Sequence, residues 1–154
     1  MELILRGDKG SALTHDEMDN NLKYLSLFSI LSSDFGANGS KTIIEEIGKP
    51  PITLPYTSTR FFGLNEDNTA DVSIFTIPNS KNMSFSYSLN VGGYLQVDIV
   101  SLVGTEFLLE KNISSGDSFV TADTGKNYFL SLIGYAYETG AQLTVSLTVT
   151  EIVP

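Results

Sequence analysis

A chain of 154 residues, 42% hydrophobic and 18% charged, has room for one compact domain with an appended segment and is apolar enough to fold. It holds no cysteine and a single histidine, which removes disulfide frameworks, thiolate nucleophiles, iron–sulfur clusters and the usual zinc sites. Eighteen acidic residues against nine basic ones give a formal charge of −9, so neither nucleic acid nor an anionic membrane is an expected partner.

The first residues, Met1 to Asp8, hold no long apolar run, so no export signal is expected, and nothing approaches the ~18 apolar residues of a membrane span. Residues 1–14 read as an extended lead-in, with Leu3-Ile4-Leu5 as a short strand and Gly7 and Gly10 as breakers. A helix is predicted over 15–33. Thr14 and Glu17 have the spacing of a capping box, and Asp16, Glu17 and Asp19 sit where the helix dipole favours carboxylates. Met18, Leu22, Leu25, Phe28 and Leu31 lay one apolar stripe along it, which has to be buried against the chain's own β domain, against copies, or against a partner.

Residues 34–58, with Gly36, Gly39, Gly48, Pro50, Pro51 and Pro55, have the composition of a linker, interrupted by one short strand near 42–47. From residue 59 to 154 the pattern turns to period two. Met83, Phe85, Tyr87 and Leu89 alternate with serines and Asn90; Leu143, Val145, Leu147 and Val149 alternate with threonines and Ser146. Six further strands are predicted at 60–64, 72–77, 94–102, 106–113, 119–122 and 128–137, separated by turn chemistry such as Gly92-Gly93 and Ser115-Gly116-Asp117. Together these predict a mainly β protein: an antiparallel β-sandwich, jelly-roll-like, with a single N-terminal α-helix. The strand at 128–133 is apolar on both faces, so its outer face calls for a cover. A subunit interface, a loop or the N-terminal helix would each serve; the unpartnered helix stripe tips the reading toward an oligomer.

Residues 7–25 resemble a segment found near the N-termini of fibre and adhesin-type virion proteins of tailed bacteriophages, roughly G-x-x-L-T-x-x-E-x-D-x-N-F-x-x-L. Gly10, Leu13, Thr14, Glu17, Asp19, Asn21 and Leu25 fall on the pattern, and Leu22 stands where it has an aromatic residue. The resemblance covers under a fifth of the chain. It implies a virion protein: a head or tail fibre, decoration or connector subunit, assembled in the host cytoplasm, homotrimeric, and joined by its N-terminal segment to a capsid, portal, collar or tail protein or to the next copy. Gly10, Leu13, Thr14, Glu17, Met18, Asp19, Asn21, Leu22, Leu25 and Phe28 are the expected attachment or oligomer-interface residues. Asp19 and Asn21 are expected to supply polar contacts to the dock.

Other chemistry has less to stand on. His15 has no nucleophile elbow beside it, and among the carboxylates Glu45-Glu46 would point to opposite strand faces while Glu66-Asp67-Asn68 reads as a turn. No catalytic residue, cofactor or metal ligand is expected. Arg6-Gly7-Asp8 is most simply a turn before the helix. The serious rival function is a receptor- or glycan-binding tip recognising a host surface glycan. Tyr135 and Tyr137 would share a strand face beside the Glu138-Thr139-Gly140 turn, and Tyr87 and Tyr94 flank Gly92-Gly93. If exposed, these rings form a stacking platform; if buried, they belong to the core.

Overall fold

The computed structural model describes the backbone of residues 3–63, 72–103, 106–122 and 125–154, and the side chains of all of these except 8, 27–41 and 106. Two helices, α1 (Arg6–Lys9) and α2 (His15–Glu46), precede eight strands. The strands are β1 (Tyr56–Phe62), β2 (Val72–Thr76), β3 (Asn82–Leu89), β4 (Gly93–Val103), β5 (Glu106–Asn112), β6 (Ser118–Val120), β7 (Asn127–Ala136) and β8 (Leu143–Glu151). Each predicted strand of the β domain has its counterpart, and the fold is the expected mainly β sandwich.

The strands form two antiparallel four-stranded sheets, ordered β1-β8-β3-β6 and β2-β7-β4-β5. β1 pairs with β8, β2 with β7, β3 with β6 and β4 with β5, as in one long hairpin doubled back between β4 and β5. Rolling that hairpin up brings β3 beside β8 and β4 beside β7, which is the jelly-roll order. The alternating pattern fixes which face turns inward. Met83 and Phe85 of β3, Val97 and Ile99 of β4, Leu130 and Leu132 of β7 and all four apolar residues of β8 meet between the sheets, with Phe62, Phe75 and Phe119 filling the remaining space. At this packing Gly134 is required: a Cβ there would stand 2.8 Å from the Phe62 ring.

The sequence expectation fails in the segment before β1. Residues 3–5 form no strand, Arg6-Gly7-Asp8 lies within the single turn of α1, and the helix predicted to end near residue 33 runs to Glu46. The expected linker thus shrinks to residues 47–55, and the strand expected near 42–47 is the last turn of α2. Two glycines inside a helix cost about 1 kcal/mol each relative to alanine. Ile43 and Ile44, both fully buried, gain about 1.5–3 kcal/mol each on burial, which outweighs that cost. No proline occurs between residues 15 and 49 to stop the helix.

Ile43 and Ile44 bury themselves against Ile74, Leu102 and Phe129 on the outer face of the β2-β7-β4-β5 sheet, with Tyr24, Ile47, Val72 and Phe107 half-buried around them. Glu46 adds a polar seat, accepting hydrogen bonds from the Thr76 N–H (3.2 Å) and hydroxyl (3.4 Å) on the edge strand β2. The helix thus supplies cover over part of the two-faced strand. Around Phe129 the outer face of β7 is covered by the chain's own helix, one of the three covers the pattern allowed.

Candidate functional site

The N-terminal segment is a closed hook built by local chemistry. α1 ends at Gly10, whose left-handed backbone (φ 69°) lets its N–H donate to the Arg6 carbonyl at 3.0 Å. The chain then turns into α2 through the predicted capping box. The Thr14 hydroxyl accepts from the Glu17 N–H at 3.2 Å, and the Glu17 carboxylate accepts from the Thr14 N–H at 2.7 Å. The same carboxylate takes the Lys9 ammonium and so ties α1 to the start of α2. Lys9 first, and the Thr14 N–H second, hold the Glu17 carboxyl below its ordinary pKa. One turn on, the Asn21 side chain closes the hook. Its Oδ1 accepts from the Ile4 N–H at 2.8 Å and its Nδ2 donates to the Ile4 carbonyl at 2.7 Å, the two-point pairing a neighbouring strand would give.

The residues singled out in the sequence therefore divide into two groups. Gly10, Thr14, Glu17 and Asn21 shape the hook from within; Asn21, expected to reach a partner, is spent on Ile4. Leu13 is half-buried and Asp19 is exposed. Met18, Leu22 and Leu25 form the outward stripe, 40%, 66% and 53% exposed, and Leu5 is exposed with them. The side chain of Phe28 lies outside the described residues. Sequence reading missed Ile4 and Lys9. Neither carried a local signal: Lys9 lies eight residues before Glu17 across a turn, and Asn21 meets a backbone group 17 residues away.

Three tyrosines gather on the outer face of the β4–β7 pair. Tyr94 and Tyr135 stand opposite each other in register, their rings 6.3 Å apart at a 31° tilt. The Tyr137 N–H donates to the Gly92 carbonyl at 3.0 Å, which places its ring beside Gly92. Tyr87 takes no part, since it is half-buried against Phe85 and the core.

The carboxylates considered for acid–base chemistry do not converge. Glu46 is bound to Thr76 and Lys49, and it lies with Glu45 on the last turn of a helix rather than on a strand. Glu110 accepts from Lys126 and Ser101, both at 2.7 Å, and these contacts hold its pKa below the ordinary value. Asp98 is buried on the sheet's outer face, where one oxygen accepts from Gln96 at 2.8 Å. Glu66 and Asp67 lie outside the described residues, as does the side chain of Glu106. Among the described residues no group of three or more acidic, histidine or cysteine side chains is placed to hold a metal ion. His15 is exposed at the first residue of α2. No helix among the described residues is long and apolar enough to cross a membrane. Comparison with protein-family models, with curated proteins and with solved structures finds no match for this chain.

Proposed function

We propose that the chain is a non-enzymatic structural protein of a tailed-phage virion, a fibre, decoration or connector subunit. On this reading the N-terminal hook and the first turns of α2 attach it to the particle and to copies of itself, and the jelly roll is displayed outward. The observation that carries the proposal is the helix stripe. The far end of α2 is seated on the sheet through Ile43 and Ile44, while Met18, Leu22 and Leu25 at the near end are left in water beside a hook that four of the motif residues hold in shape. Fully burying such side chains is worth about 1.5–3 kcal/mol each, and about half of that remains to be gained at each of the three. That is about 2–4 kcal/mol per helix, so the surface of the hook around the stripe must contribute to the contact as well.

The test is incorporation. Leu25→Asp, at an exposed position, leaves the jelly roll folded and removes the chain from purified particles; wild-type occupancy by the folded variant would refute the attachment role.

A further inference from the structure

The three exposed tyrosines sit where the sheet's outer face meets the β7–β8 turn. Tyr94, Tyr135 and Tyr137 are 49%, 43% and 77% exposed, an uncommon share for neighbouring rings in a fold that buries its phenylalanines at 62, 75, 85, 119 and 129. Next to them opens a cleft of about 440 Å³, lined by Tyr135, Tyr137, Glu138, Thr139 and Gln142 and backed by Phe62. That volume falls within the range of small-molecule sites.

We infer that this corner is a carbohydrate-binding site, taking one or two rings of a neutral hexopyranose glycan. The chemistry of the lining selects that class. A pyranose has an apolar C–H face and a rim of hydroxyls; an exposed phenol ring offers a flat partner for the first, and its hydroxyl a partner for the second. Tyr94 and Tyr135, tilted by only 31°, form a shallow platform for stacking rather than an edge-to-face core pair. Glu138, Thr139 and Gln142 supply donors and acceptors on the cleft side of Tyr137. Among the described residues the lining includes one carboxylate and no Lys, Arg or His, so an acidic sugar would meet repulsion there without a cation to answer it. A protein partner fits less well. A stable interface needs roughly 1,200 Å² or more around its aromatic centre, and this patch is concave and edged by polar turn residues. The inference is independent of the attachment role proposed for the N-terminal hook.

The chain has no tryptophan, so its fluorescence comes from seven tyrosines, three of which are these rings. The experiment titrates the full chain with neutral gluco-, galacto- and N-acetylglucosamine oligosaccharides, and with oligogalacturonate as the acidic control. The site predicts a saturable change with at least one neutral series, weakened about tenfold or more by Tyr135→Ala and by Tyr137→Ala. Tyr137→Phe, which keeps the stacking face, should stay within a few-fold of wild type. Unchanged thermal melting of the variants shows that the fold is intact. Absence of saturable binding to all three neutral series overturns the inference. So does binding that the alanine variants leave intact, tighter binding of the acidic control, or self-association that Tyr137→Ala removes.

Discussion

Glu17 shows how much one side chain settles at the residue scale. Its carboxylate holds Lys9 and the Thr14 N–H while its own N–H is held by Thr14, so the hook and the helix start share one hinge point. Its folded pKa is depressed below 4.5, so the unfolded form binds the proton more tightly. The stability it adds is therefore complete above the unfolded value and is lost as pH falls through the folded one. Because the group is exposed, the effect is local. Acidification through the folded pKa should weaken the helical Cα shifts of residues 15–18 in an NMR spectrum while the β domain's signals persist; shifts at 15–18 that do not respond to protonation of Glu17 would contradict this. Glu17→Gln keeps the capping geometry and should abolish the pH dependence. The box was legible in the sequence because its chemistry is local, three residues apart. The Asn21 pairing with Ile4 was not, since any exposed helical asparagine looks the same until the chain folds back on it.

At the scale of elements, strands were easier to read than the helix. Period-two alternation marks a half-buried strand wherever it occurs, and β3 and β8 follow it residue by residue. The helix was misjudged because Gly36 and Gly39 carry a local penalty that Ile43 and Ile44 overcome through contacts with Ile74, Leu102 and Phe129, residues far along the chain. The same two isoleucines that looked like a short strand are the helix's anchor. Ile44→Ala should therefore destabilise the protein by about 2–4 kcal/mol in chemical denaturation. A loss under about 1 kcal/mol would mean that α2 is not seated on the sheet.

At the scale of the whole molecule, the two sheets meet water differently. The outer face of β1-β8-β3-β6 carries rows of hydroxyls, with Thr148 between Thr57 and Ser86 and Ser146 between Thr59 and Ser88, alongside exposed Phe61 and Val120. The other sheet carries α2 over an apolar patch of Ile74, Leu102 and Phe129 on its outer face. The sequence showed that β7 needed a cover but not which one, and strand number but not strand order, because rolling a hairpin is decided by pairings between its distant ends. What the fold leaves uncovered is the near end of α2, and the central claim is that this stripe is an interface. Light scattering on the full chain, wild type against the Leu22→Asp/Leu25→Asp double variant, tests it most directly. Wild type is expected at three times the 16.7 kDa chain mass and the folded variant at the mass of one chain. A wild-type monomer, or a trimer that survives both substitutions, would contradict it.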